Sequence, residues 1–184
     1  MTVKAEFEAE GTRVDEPLRL LELANKANLK IGLKIGGCEA IRDLIESKWF
    51  GCDYIITPII ETKYALQKFV EARQKTCCDD KSTKFLFNLE TTTAFQNRQS
   101  LFDVAVGKLD GCIFDRVDYI GSLDMSRDSI KEDVVTADVC EAAALSRSND
   151  LEMVVGGGVF MDSFSALRTD AVKLFSTTQL RGFL

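Results

Sequence analysis

Short apolar segments with strand-like composition recur along the chain, and longer stretches with helical periodicity separate them. The segments that predict strands are residues 3–8, 30–35, 54–60, 84–90, 111–116, 152–155 and 171–175. Three helices are predicted from apolar faces made of Leu18, Leu21, Leu23 and Ala24, then Ala40, Ile41, Leu44, Ile45 and Trp49, then Ala65, Leu66, Phe69 and Ala72. Further helices are predicted near residues 92–106, 134–146 and 162–167. Alternating strands and helices predict repeated βα units around a parallel sheet.

The polarity of the two strand faces favours a closed barrel over an open sheet. In the first segment Ala5 and Phe7 share one face, and Lys4, Glu6 and Glu8 share the other. An open parallel sheet is covered by helices on both faces, whereas a barrel needs an apolar surface only on its outside. The predicted lumen carries Lys4, Glu6, Glu8, Lys34, Asn88, Glu90 and Lys173. We therefore predict a single (β/α) barrel domain over residues 1–184.

The length modifies this prediction. A TIM barrel usually has about 250 residues, and this chain has 184 residues with seven strand-like segments. The sequence therefore predicts a barrel that is short or incomplete at its C-terminus.

Composition excludes several partners. The chain is 46% hydrophobic and 28% charged, which argues against disorder, and its net charge is −6. An acidic chain without clustered Lys or Arg is a poor nucleic-acid binder, so no nucleic-acid partner is expected. The N-terminal segment has no apolar signal-like region, and no apolar run approaches the length of a membrane span. We expect a cytoplasmic protein without a membrane partner.

Histidine is absent from the sequence, which removes many mechanisms. Ser-His-Asp triads, Cys-His pairs and imidazole acid–base catalysis all require it. The six cysteines form no CxxC motif, and we interpret them as structural thiols rather than as a disulfide or metal framework. Chemistry must then depend on carboxylates, lysines, cysteines or a metal ion.

Active sites of (β/α) barrels lie at the C-terminal ends of the strands. The candidates there are Glu8, Glu10, Lys34, Glu61, Glu90, Asp118 and the glycines Gly156, Gly157 and Gly158. Glu90 and Asp118 follow adjacent strands and suit a hard cation such as Mg²⁺ or Mn²⁺. Carboxylates at strand ends are also common as helix caps or solvated residues, and Glu61 is interpreted as a helix N-terminal charge.

Other candidates have two interpretations each. Lys34 is either a structural ion-pair partner of Glu6 or Glu8, or a Schiff-base nucleophile, a role also open to Lys173. Arg116 either binds a substrate carboxylate or forms a salt bridge with a neighbouring aspartate. The triple glycine either brings backbone N–H groups close to an anion or forms a plain turn.

Three segments carry a family resemblance. They are ITPIIETKYA at residues 56–65, NLETTTAFQN at 88–97 and GCIFDRVDYIGSL at 111–123. In order and spacing they resemble the HpcH/HpaI aldolase and citrate lyase β-subunit family. The resemblance implies a metal-dependent (β/α)8 TIM barrel that cleaves or forms carbon–carbon bonds next to a 2-oxo acid or an acyl-CoA thioester. It implies a homo-oligomer as well. It also implies that Glu90 and Asp118 hold the metal and that Lys34 replaces the arginine that clamps the substrate's carboxylate and enolate oxygen.

The chain also departs from that family. The family's D-x-E-H-G segment corresponds to residues 6–11, EFEAEG, where Ala9 replaces the histidine. Glu8 is then our candidate for the base or water-orienting group. A lysine at position 34 lacks the planar fork of arginine, and Asp115 stands where glycine is common. From the sequence we predict a divalent-metal-dependent carbon–carbon lyase. The alternatives are a Schiff-base aldolase using Lys34 or Lys173, and a non-catalytic barrel that binds a small anion.

Overall fold

The computed structural model describes residues 2–7, 13, 15–158 and 173–174. Within them, each of the seven predicted strand segments overlaps an observed strand. The strands are β1 (Thr2–Glu6), β2 (Lys30–Lys34), β3 (Tyr54–Thr57), β4 (Lys84–Leu89), β5 (Gly111–Asp115), β6 (Glu152–Gly156) and β7 (Lys173–Leu174).

The strands form one parallel sheet in which each strand pairs with the next along the chain, in the order β1 to β7. Sequential order with parallel pairing is the topology of a (β/α) barrel, and a doubly wound sheet would reverse its order at a switch point. The sheet curls as it does in part of such a barrel. The complete eight-strand barrel remains a prediction.

Helices follow most of the strands. They are α1 (Asp15–Lys26), α2 (Ile41–Phe50), α3 (Lys63–Cys77), α4 (Thr92–Gln96), α5 (Arg98–Ala105), α6 (Arg116–Gly121) and α7 (Asp133–Ser148), with a 3₁₀ helix at Arg127–Lys131. The helix predicted near residues 92–106 is present as two helices, α4 and α5, because the chain leaves helical geometry at Asn97. The Asn97 side chain donates a hydrogen bond of 2.9 Å to the backbone oxygen of Glu61, which ties this junction to the segment just before α3. The helix predicted over residues 162–167 lies outside the described residues.

The two faces of the sheet differ as the alternation predicted. Outward-facing side chains, among them Phe85, Phe87 and Phe114, are fully buried against the helices. The inner face has an apolar floor of Tyr54, Ile56, Leu86 and Val154 with Ile113 packed on it. Polar inward-facing residues, among them Lys34, Asn88 and Asp115, line the same cavity. The lumen is therefore less polar than the sequence predicted.

The apolar helix faces predicted for α1 and α2 are partly wrong. Trp49 is 77% exposed, and Ile41 and Ile45 also reach solvent. The buried residues of α2 are Leu44 and Ser47, so the helix contacts the sheet through a narrower stripe. In α1, Leu18 and Leu23 are exposed as well.

All six cysteines are free thiols. Burial of Cys52, Cys77 and Cys112 fits the structural role predicted from the sequence, whereas Cys78 and Cys140 are exposed. Among the described residues, no helix is long and apolar enough to cross a membrane.

Candidate active site

Parallel strands bring their C-terminal ends to one rim, and the candidate residues meet there. Glu90 directly follows β4, Asp115 ends β5, and Asp118 lies in the first turn of α6. Lys34 ends β2. Four residues from three separate segments of the chain therefore share one end of the sheet, which is where (β/α) barrels carry their chemistry.

Glu90 is the most enclosed member of this group, with 2% of its surface exposed. Its Oε1 accepts a hydrogen bond of 2.7 Å from the backbone N–H of Ile59. Its Oε2 accepts one of 2.6 Å from the Asn88 side-chain amide and one of 3.2 Å from Lys34 Nζ. A buried carboxylate needs such partners, because its charge is costly to remove from water unless hydrogen bonds and a cation offset the loss.

Lys34 is a charged partner in this site. Burial lowers its pKa, but the carboxylates of Glu90, Glu6 and Asp118 outweigh burial and raise the pKa above its ordinary value. Lys34 is therefore a cation across the physiological pH range. Glu6 lies beside Lys34 in the β1–β2 register but forms its own salt bridge with Lys4. Among the described residues, the direct ion-pair partner of Lys34 is thus Glu90 rather than Glu6, and Glu8, the other partner predicted from the sequence, lies outside them.

Three carboxylates form a cluster at the rim. One oxygen from each of Glu90, Asp115 and Asp118 lies within 4.8 Å of the other two. Partial burial, followed by the charges of Asp115 and Glu90, raises the pKa of Asp118 to about 7. Carboxylates this close repel one another when ionised, and a divalent cation between them relieves that repulsion.

Asp115 is fixed by its surroundings. Its Oδ1 accepts a hydrogen bond of 3.1 Å from the Val117 N–H and so caps α6. Gly157 has a left-handed φ of 72°, and a Cβ built there would lie 2.4 Å from the same oxygen. Glycine is therefore required at 157 so that the loop after β6 can approach the Asp115 carboxylate.

Arg116 holds this loop in place. Its guanidinium is buried and donates hydrogen bonds of 3.0 Å to the backbone oxygens of both Gly157 and Gly158. Burial lowers its pKa, with Asp115 acting in the opposite direction. Its Nε is buried and lacks a hydrogen-bond partner among the described residues. Substrate binding by Arg116, Gly156 and Gly157 remains a prediction.

The sequence-predicted residues that the structure brings together are Lys34, Glu90 and Asp118. Glu8 lies outside the described residues, and so does the side chain of Lys173. Glu61 lies just before the α3 cap Thr62 and accepts a hydrogen bond of 2.8 Å from Thr91, outside the carboxylate cluster.

Sequence reasoning missed two contributors. Asp115 was noted only as a departure from a glycine, although its place at the end of β5 was a usable signal. Ile59 contributes through its backbone, for which an isoleucine side chain gives no signal in the sequence.

The donor set defines what the cluster can bind. Its atoms are carboxylate oxygens, which suit Mg²⁺ or Mn²⁺ better than zinc or copper, and no histidine exists in the chain to change this preference. The adjacent ammonium of Lys34 adds a second positive centre next to any ion held there.

At the level of sequence, no protein-family model and no curated protein matches the chain. Solved structures do match. A HpcH/HpaI aldolase/citrate lyase family protein from Burkholderia cenocepacia J2315 superposes with a TM-score of 0.76 at 11% identity, covering 96% of this chain and 79% of that one. A variant of the citrate synthase SbnG superposes with a TM-score of 0.72 at 14% identity, covering 96% of this chain and 76% of that one. The described part of the chain therefore shares the α/β fold of these proteins, with a curled parallel sheet consistent with an incomplete TIM barrel.

Proposed function

We propose that the chain is a member of the HpcH/HpaI aldolase and citrate lyase family and a divalent-metal-dependent carbon–carbon lyase. The substrate class is a 2-oxo acid or an acyl-CoA-type thioester. The observation that carries the proposal is the group of Glu90, Asp115 and Asp118 within 4.8 Å at the C-terminal rim. The fold shared with a HpcH/HpaI family protein supports the same conclusion.

The residues present fit a hard divalent cation. Glu90 is held by three hydrogen bonds, yet two oxygens with about four lone-pair positions leave room for a metal ion. Asp115 and Asp118 complete a set of hard oxygen ligands, and the remaining positions would go to water and substrate oxygens, as Mg²⁺ prefers. We propose Mg²⁺ or Mn²⁺ as the cofactor, held by Glu90 and Asp118 with Asp115 as an added ligand.

The bound ion would supply Lewis-acid polarisation of the substrate carbonyl and stabilise negative charge on the enolate oxygen. Lys34 supplies the second positive charge on that oxygen, because its raised pKa keeps it protonated. In aldol cleavage a base removes the hydroxyl proton, the carbon–carbon bond breaks, and its electron pair forms the enolate. We propose Glu8 as that base.

Electrostatics favours a metal-dependent site over an anion-binding barrel without metal. The three clustered carboxylates lie beside the ammonium of Lys34, which is already paired with Glu90. A 2-oxo acid is itself an anion, and its carboxylate would be repelled by this cluster unless a divalent cation were present.

A Schiff base on Lys34 is disfavoured on similar grounds. Imine formation requires a neutral amine, and enzymes that use it lower the lysine pKa by burial or by a neighbouring cation. Here the carboxylates of Glu90, Glu6 and Asp118 raise the pKa of Lys34 instead. A cytoplasmic location and a homo-oligomeric assembly remain predictions.

The proposal is tested with purified full-length chain assayed for retro-aldol cleavage and for oxaloacetate decarboxylation. Activity is expected with Mg²⁺ or Mn²⁺, and it should vanish with EDTA and in Glu90→Gln. Glu71→Gln, a matched change at an exposed position of α3, should retain full activity. Turnover that persists in EDTA and in Glu90→Gln would refute metal dependence, and borohydride trapping would then test Lys34 and Lys173.

A further inference from the structure

Ile59 has a backbone conformation that its side chain disfavours. Its φ is +46°, in the left-handed region, where Gly, Asn and Asp are the usual residues. A β-branched residue there is a genuine outlier, because its Cβ crowds the neighbouring backbone. Such conformations persist only where the surroundings impose them.

Side-chain packing does not account for this conformation. The Ile59 side chain is 65% exposed, so burial of its apolar surface contributes little to stability. The backbone on either side is fixed, because Pro58 has a restricted φ and Ile60 is buried in the core. The next residue, Glu61, is tied to Thr91 and Asn97.

The conformation does serve the backbone N–H. That group donates a hydrogen bond of 2.7 Å to Glu90 Oε1, while Lys34 and Asn88 both bind the other oxygen. The two oxygens of Glu90 are therefore bound by different donors. This fixes the rotation of the carboxylate about its terminal bond. A backbone donor is also permanent, since it neither titrates nor changes rotamer.

We propose that Ile59 is a positioning residue whose strained backbone orients the Glu90 carboxylate toward the ligand of the rim cluster. The orienting contact stands on the geometry alone, and its consequence for ligand binding rests on the proposed metal function. The side chain at this position is dispensable for the role, and the N–H is essential.

The contact itself is tested by NMR on the full chain labelled with ¹⁵N-isoleucine. An amide proton donated to a carboxylate resonates downfield, and the Ile59 signal should move upfield in Glu90→Gln. Lys75→Met, an exposed change on α3, should leave it in place. An Ile59 amide shift that is the same in wild type and in Glu90→Gln would overturn the inference, whatever the metal affinity.

The consequence is tested by replacing Ile59 with its α-hydroxy acid analogue, which swaps the amide for an ester and deletes the N–H while keeping the side chain. Mn²⁺ affinity, measured by the electron paramagnetic resonance of free Mn²⁺, should fall about tenfold, as expected for loss of one hydrogen bond to a charged group. Ile59→Asn keeps the N–H and accepts the left-handed region, so it should bind Mn²⁺ as wild type does and unfold at a higher temperature. Ile59→Val should match wild type in both measurements.

These outcomes separate the inference from the function. An ester variant that stays folded by circular dichroism and binds Mn²⁺ within twofold of wild type overturns the positioning role. Wild-type chain that binds neither Mn²⁺ nor Mg²⁺ refutes the metal function, and the amide shift in Glu90→Gln still decides whether Ile59 orients Glu90.

Discussion

Lys34 Nζ lies 3.2 Å from Glu90 Oε2. Lys34 ends β2 and Glu90 follows β4, so the contact spans the intervening strand β3. Both side chains are largely removed from solvent, so each depends on the other for charge compensation. The same lysine also competes with any divalent cation for the same carboxylate oxygen. Its removal should therefore change stability and metal affinity in opposite directions.

We expect Lys34→Met to destabilise the metal-free protein by about 3 kcal/mol, because Glu90 is left as a buried charge without its cation. Mn²⁺ affinity should rise by about tenfold in the same variant, since the competing positive charge is gone. Lyase activity should be lost. Urea unfolding and Mn²⁺ titration measure the two effects.

The matched control is Lys75→Met, an exposed lysine near the end of α3. It should leave unfolding, metal affinity and activity unchanged. A Lys34→Met protein that binds Mn²⁺ more weakly than wild type would show that Lys34 supports the ion rather than competing with it.

Asp115 has two roles that substitutions can separate. Asn caps helices about as well as Asp, so Asp115→Asn should keep the stability of α6 while removing one anionic ligand. We expect Mn²⁺ affinity to fall about tenfold with little change in unfolding midpoint. Asp115→Ala should lose the same affinity and a further ~1 kcal/mol of stability. Equal Mn²⁺ affinity in Asp115→Asn and wild type would limit the ligand set to Glu90 and Asp118.

Asp118 should make the metal-free protein pH-sensitive. Its pKa is raised to about 7 in the folded state, against about 4 in an unfolded chain. Because the pKa is raised, the folded protein binds this proton more tightly than the unfolded chain does. The contribution of Asp118 to the free energy of unfolding is therefore full below about pH 4 and is lost as pH rises to about 7. Asp118→Asn should remove that component from the stability profile, whereas Asp128→Asn, in the 3₁₀ helix, should keep it. Addition of Mg²⁺ at pH 8 should restore the stability of the wild-type protein but not that of Asp118→Asn. If wild type and Asp118→Asn have parallel profiles, Asp118 titrates normally.

The cysteines should divide into reactive and protected sets. Burial raises the pKa of both Cys52 and Cys112 to about 12, so neither is a thiolate at neutral pH. Exposed Cys78 and Cys140 should react with a thiol reagent first, and the buried thiols only after unfolding. Alkylation of the native protein followed by peptide mass spectrometry measures the order. Early modification of Cys112 would contradict the packing of the core around it.

Strand positions could be predicted because a buried strand carries a local signal, with apolar residues on alternate positions and a turn after them. The repetition of that signal predicted βα units around a parallel sheet, and the polarity of the two strand faces favoured a barrel over an open sheet. Helix faces were harder, since the sequence shows which residues are apolar but not which side another element covers. Trp49 is apolar and lies on a helix, yet the sheet contacts α2 through Leu44 and Ser47.

In the site, the sequence indicated three of the charged side chains but missed Asp115 and the backbone contacts. Glu90, Asp118 and Lys34 were found because a charge at a strand end is visible in the sequence. Ile59 acts through an N–H that every residue except proline has, and its unusual φ arises from the fixed residues around it. The approach of Gly157 to Asp115 was equally hidden, although a glycine after a strand indicated that some close approach was possible.

Gly157 and Gly107 form a pair that separates two kinds of glycine requirement. Both have a left-handed φ, 72° and 67°. A Cβ at Gly107 would meet nothing within 4 Å, whereas one at Gly157 would lie 2.4 Å from Asp115 Oδ1 and 2.6 Å from the Val117 nitrogen.

Gly107→Ala should therefore lower the free energy of unfolding by about 1 kcal/mol, the cost of the left-handed conformation alone. Gly157→Ala should lower it by about 3 kcal/mol in total. The added loss is steric, because the backbone at 157 and the Asp115 carboxylate must move apart. Urea unfolding measures both variants. Gly157→Ala should also weaken Mn²⁺ binding, since the displaced group is a member of the rim cluster, and Gly107→Ala should not. Equal stability loss in the two variants would mean that the loop moves away from Asp115 at no cost, and that the close approach does not hold the carboxylate in place.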